Sequence, residues 1–163
     1  MSKNKYPLCS VLSARDEQKR EAASLVESRR EQLASAEAEL ALRVQAVEDC
    51  RSEQATAQDR MLEQMTAGGT AQAMLTHHDY VSWLKETERE LLARVEQQRP
   101  VVARASGELE RATAALLEAA REHKVVEKHQ EKWHVARARE AERAEQKQLD
   151  EIATILFARR ASG

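Results

Sequence analysis

Aromatic side chains are nearly missing from this chain: two Trp, two Tyr and one Phe in 163 residues, alongside only four Gly and two Pro. A compact globule of this length needs large side chains to fill its core, and five aromatics leave that core thin. Long apolar runs are missing too. Nothing approaches the roughly 20 consecutive apolar residues that span a bilayer, and the opening MSKNKYPLCSVL has no long apolar segment of the secretory kind. A cytoplasmic location without direct membrane insertion is therefore expected. Charge of one sign is also lacking, since 28 acidic and 26 basic residues are mixed along the chain for a net charge of −2. With no basic block to track phosphates or anionic lipid, nucleic acid and membrane surfaces are not expected partners. The two cysteines, Cys9 and Cys50, are 41 positions apart. On one helix that is about 60 Å, far beyond disulfide reach.

What is abundant is Ala, Glu, Arg, Gln and Leu, with a third of the residues charged, the composition of long helices and coiled coils. Stepping alternately by 4 and 3 from Leu8 to Met61 visits sixteen positions, eleven of them apolar. The same walk from Leu84 to Trp133 visits fifteen, again eleven apolar. Both exceed the 42% that composition supplies, and each stripe holds one phase for about seven heptads. A sustained 3.5-residue repeat predicts a left-handed coiled coil.

Between the stripes lies TAGGT, where Gly68 and Gly69 supply the backbone freedom of a sharp reversal. The expected fold is all-α: one long antiparallel two-helix coiled-coil hairpin over residues 1–163, with helix 1 at 8–66, a turn at 67–70 and helix 2 at 71–158. Helix 2 would reach roughly 130 Å. Pro7 is a natural first-turn residue and falls opposite Trp133. After Trp133 the stripe positions read Arg137, Glu140, Ala144, Lys147 and Glu151, so about 25 residues of helix overhang without an intramolecular partner. Pro100 removes one backbone hydrogen bond and marks a place where helix 2 could kink. Polar stripe residues, among them Arg15, Lys19, Arg29, Arg43 and His123, are expected to fix register.

Chemistry finds little to stand on. AGGTAQ lacks the spacing of a phosphate loop and follows no strand. His123, His129 and His134 are 6 and 5 residues apart, so no two share the i, i+4 spacing of a helical metal pair. A two-helix structure offers no enclosed pocket in which to tune a nucleophile. Neither an enzyme nor a cofactor or metal site is expected.

Two surfaces look committed instead. After the turn, LTHHDYVSWLKETE places Met74, His77, Val81 and Leu84 on the stripe, with Tyr80 beside it and Trp83 about 100° further round, toward the outside. Exposed Trp and Tyr are favoured interface anchors, although these two could equally pack on the loop and close the tip. At the other end, in EQKQLDEIATILFARR, Leu149, Ile152 and Leu156 recur at helical spacing with Ile155 and Phe157 alongside, out of phase with the earlier stripe. An apolar face on an unpaired helix asks for a partner.

Together, LTHHDYVSWLKETE after a Gly-containing bend and EQKQLDEIA followed by ARR resemble the FliJ/YscO family of type III secretion proteins, flagellar or injectisome. The resemblance covers the whole chain in length and layout. It implies a central stalk, similar to the shaft of a rotary ATPase γ subunit, that inserts in a hexameric export ATPase ring, promotes its assembly or activity and links it to the membrane export gate. It implies export chaperones as further partners and a place at the inner membrane periphery. Carried over by position, the export-gate contact falls on Tyr80, Leu84, Thr87 and Leu91, with Trp83 beside them, and Thr87 departs from the family's apolar pattern. The ATPase-binding element falls on Leu149, Asp150 and Glu151, with Ile152 and Leu156 on the same helix. Alternatives from the residues alone are a coiled-coil scaffold or chaperone-binding adaptor that dimerises through its C-terminal helix, a shaft of a different rotary ATPase, and an enzyme accessory with a metal site.

Overall fold

The computed structural model of the chain describes residues 5–161. Two helices account for nearly all of them: α1, Cys9–Thr66, and α2, Ala71–Ala161. No strand occurs among the described residues. The fold is an all-α helical hairpin. Helix α1 begins one residue later than the periodicity suggests, because Pro7 and Leu8 form a turn whose Tyr6 carbonyl accepts from Cys9 N at 3.3 Å. Helix α2 runs without a break through Pro100, which faces solvent, and ends three residues beyond the expected 158.

The reversal follows from its glycines. Gly68 has a φ of 77°, in the left-handed region that side-chain-bearing residues disfavour. Gly69 N donates to Gln64 O at 2.9 Å, which closes the last turn of α1 in the Schellman arrangement. A Cβ on Gly69 would lie 3.0 Å from that same carbonyl oxygen. Thr70 then caps α2 by accepting from Ala73 N at its Oγ1, 3.3 Å away.

Contacts cluster into two units. In the unit of residues 24–114, pairing runs antiparallel: Cys50 meets Leu84, Arg43 meets Arg94, Ala36 meets Gln98 and Arg29 meets Glu108. Its buried apolar residues are Val26, Ala36, Val47, Cys50, Ala57, Val81, Leu84, Val95 and Ala112, every one on the heptad positions. Small side chains dominate, so area burial per layer is modest. Polar stripe residues fill the remaining layers by finding acceptors across the interface. Gln98 is buried and donates to Ala36 O at 3.1 Å, Arg43 donates to Arg94 O at 2.9 Å, and Arg29 pairs with Glu108 at 2.6 Å. Half-exposed ion pairs such as Arg29–Glu108 contribute about 0–1 kcal/mol each. Their larger effect is on register, since sliding one helix would leave each donor without its acceptor.

The unit of residues 1–23 and 115–163 is likewise antiparallel, with Arg15 paired to Glu122 and Asp16 Oδ1 3.7 Å from His123 Nε2. Its pairing stops at an aromatic cluster. The Tyr6 ring is 5% exposed and stands edge-on to Trp133 with centroids 5.7 Å apart, and its hydroxyl shares a 2.7 Å hydrogen bond with His129 Nδ1. The partner of Trp133 is therefore Tyr6 rather than Pro7, because an aromatic ring buries more apolar area against an indole than a pyrrolidine does. From 134 to 161 every residue of α2 is exposed.

Candidate docking surfaces

The first surface belongs to the 24–114 unit and is built on one stretch of α2. Val81 and Leu84 point into the helix pair, and Leu84, at 1% exposure, is the only large side chain fully buried among the described residues. It packs with Cys50, Ala57 and Val81, and Leu91 lies against the same cluster. The Leu84 carbonyl accepts from Cys50 Sγ at 3.4 Å and from Gln54 Nε2 at 3.3 Å. Thr87 is half-buried and its hydroxyl donates to Trp83 O at 3.0 Å. Leu84 is thus core, Leu91 and Thr87 are half-committed to it, and the outward part of the expected set is Tyr80 and Trp83.

Those two rings are stacked, with centroids 5.9 Å apart and planes 20° from parallel. The Tyr80 hydroxyl donates to Glu53 Oε1, which ties it to α1. That hydrogen bond to a carboxylate holds the phenol above its ordinary pKa, as it favours the protonated form. Trp83 remains 59% exposed. The aromatic pair therefore packs on itself and on Glu53. Nearby, Arg51 donates to Glu88, which also accepts from Gln54. The Arg51 and Gln54 hydrogen bonds hold the Glu88 carboxyl below its ordinary value.

The second surface lies on α2 beyond Trp133. Leu149, Ile152, Ile155, Leu156 and Phe157 are all more than half exposed. Asp150 accepts from Gln146 Nε2 at 3.0 Å, and its carbonyl accepts from the Thr154 hydroxyl at 2.7 Å, so both bonds are local to the helix. Glu151 points to solvent. Five large apolar side chains on one uncovered helix exceed the scattered exposure that needs no explanation.

Tyr6 and Glu53 are the structural residues that sequence reading passed over. Tyr6 sits outside the heptad walk, and its only signal was being aromatic two residues from the first stripe position. Among the described residues no group of three or more His, Cys, Asp or Glu could hold a metal ion, and every buried side-chain nitrogen or oxygen has a hydrogen-bond partner. The clefts between the helices are open and shallow; one of about 340 Å³ is bordered by Glu53, Arg60 and Tyr80. Among the described residues no helix is long and apolar enough to cross a membrane.

A helical hairpin with a polar, register-fixing interface and two outward apolar surfaces is the build of a protein that works by docking. Comparison with known proteins specifies which kind. The family model described as "YscO-like protein" matches residues 3–162, and the chain belongs to that family. The resemblance read from the two motifs is thereby established, and with it a type III secretion related protein of a structural, non-enzyme family. Among solved structures, a proposed YscO homolog, CT670 from Chlamydia trachomatis, is similar to this chain at 26% identity with a TM-score of 0.79, covering 98% of each chain. No curated protein matches the sequence.

Proposed function

We propose that this protein is the non-enzymatic central stalk of a bacterial type III secretion apparatus, binding the hexameric export ATPase ring, promoting its assembly or activity, and linking it to the membrane export gate. The observation that carries the reading is the uncovered face of Leu149, Ile152 and Leu156 in a chain of the YscO-like family. Leu149, Asp150, Glu151, Ile152 and Leu156 form the ATPase contact. Burying that face against a ring subunit would contribute a gross gain of about 25 cal/mol per Å² of apolar area, offset by the cost of association. Tyr80 and Trp83 form the outward part of the gate contact, and Leu84 and Leu91 support them from the core. The protein works in the cytoplasm, peripheral to the apparatus at the inner membrane, and binds export chaperones in addition.

The test is turnover of the export ATPase while titrating in the full chain or a chain ending at Trp133. Stimulation by the full chain that the truncated one lacks is expected, with the shortened protein still helical by circular dichroism. Equal effects of both, with the ATPase verified as hexameric, would refute the assignment. The same apolar face supports a second reading, an adaptor that dimerises through α2. A concentration-dependent dimer that dissociates when Leu149, Ile152 and Leu156 are changed to Ser, with no ATPase effect, would favour it.

A further inference from the structure

The surface around Trp83 carries chemical information beyond being apolar. Tyr80 is pinned to α1 by its bond to Glu53, and Trp83 stacks on Tyr80, so one indole face is supported while Trp83 as a residue stays 59% exposed. A pre-positioned ring has little rotamer freedom left to lose on binding. The helical repeat then decides what surrounds it. Asp79 is four residues before Trp83, Glu86 three after and Glu90 seven after, which puts all three carboxylates on the same side of α2 as the indole. All three are exposed. Lys85, 2 positions on, is turned well away, while Arg89 reaches Glu86 at 2.9 Å and offsets its charge. Arg94, three turns further along α2, lies on that side, and across the cleft Arg60 of α1 stands beside Tyr80 with Glu53 and Asp49.

We propose that the Trp83 surface docks an arginine-bearing protein segment, with one guanidinium lying over the indole face and the carboxylates of Asp79 and Glu90, about 16 Å apart along α2, attracting the segment's charge from either side. An aromatic face attracts a cation through the ring quadrupole, and arginine stacks on it while keeping its in-plane donors free for carboxylates. A purely apolar partner would leave those carboxylates beside desolvated surface, and an acidic one would be repelled. This names the chemistry of the partner at the tip and rests on Trp83 being a protein-docking residue.

The probe is a 12-residue Gly-Ser peptide carrying four arginines, compared with its citrulline counterpart, which keeps the shape and loses the charge. Each is titrated into the full chain while the indole Nε1–H signals of Trp83 and Trp133 are followed by NMR, assigned with Trp83→Phe. The arginine peptide is expected to move the Trp83 signal with half-saturation at about 1–10 mM, leave Trp133 in place, and bind at least threefold more weakly to Asp79→Asn/Glu90→Gln, about the effect of two exposed charges. The citrulline peptide is expected to move neither. Equal shifts with both peptides, no Trp83 shift by about 10 mM, or no weakening in the double variant would each overturn the proposal. The gate reading is scored separately: it fails when the gate's cytosolic domain binds wild type and Tyr80→Ala/Trp83→Ala equally, whatever the peptides do.

Discussion

Leu84 offers the sharpest separation of core from docking surface, because it was a candidate gate contact and is 1% exposed. Leu84→Ala removes three carbon atoms from the centre of the cluster formed with Cys50, Ala57 and Val81. At about 0.8 kcal/mol per buried methylene the transfer loss alone is about 2.4 kcal/mol. A cavity term adds to it only where the surroundings fail to close, and a full Leu→Ala range is about 2–5 kcal/mol. Here the neighbours are small and the interface is two helices that can draw together, which places the expected loss near the lower end, at about 2–3 kcal/mol. Its neighbour Trp83 projects outward, so Trp83→Ala should cost no more than about 0.5 kcal/mol, the usual range for surface substitutions. Urea titrations followed by far-UV ellipticity, fitted with a common slope, measure both. A Leu84→Ala loss below about 1 kcal/mol, or a Trp83→Ala loss as large as that of Leu84→Ala, would refute the placement of Leu84 in the core and Trp83 outside it.

Gly68→Ala forces a side chain into the left-handed region at φ 77° with no contact within 4 Å to blame or to help, so a loss of about 1–2 kcal/mol is expected in the same titration. Glu88 has its folded pKa lowered, first by Arg51 and then by Gln54. A depressed carboxyl adds stability above its unfolded value, near the ordinary 4.5, and loses it as pH falls through the lower folded value. Glu88→Gln should therefore flatten the acid dependence of stability below that point while leaving its shape near neutrality unchanged, and a carboxyl-carbon NMR titration should place the Glu88 midpoint below the ordinary value. Tyr6→Ala should release residues 5–8 and expose Trp133, read as a red shift of indole emission in a Trp83→Phe background, with α-helix content nearly unchanged. An unshifted spectrum would show that Tyr6 does not cover the indole.

Much of this protein was legible in one dimension. The 4–3 walk from Leu84 to Trp133 lands on a buried or half-buried residue at every step, and the walk from Leu8 to Met61 does so everywhere except Leu8 itself. A strict 3.5-residue repeat leaves a helix one face to bury, so periodicity alone locates the interface. Two glycines locate the turn for equally local reasons, and the fading of the stripe after Trp133 marks where α2 loses its cover. The tertiary structure decided what depends on the neighbouring helix. Helical periodicity already sets Leu84 on the stripe and Trp83 100° away from it, and the neighbouring helix is what encloses Leu84 with Cys50, Ala57 and Val81. The tertiary structure also tied Tyr80 to Glu53, placed Tyr6 on Trp133, and gave Gln98 and Arg43 the carbonyls of Ala36 and Arg94 to bond. Those pairings join residues 27 to 127 positions apart and carry no periodic signal, so only the register of two packed helices could set them.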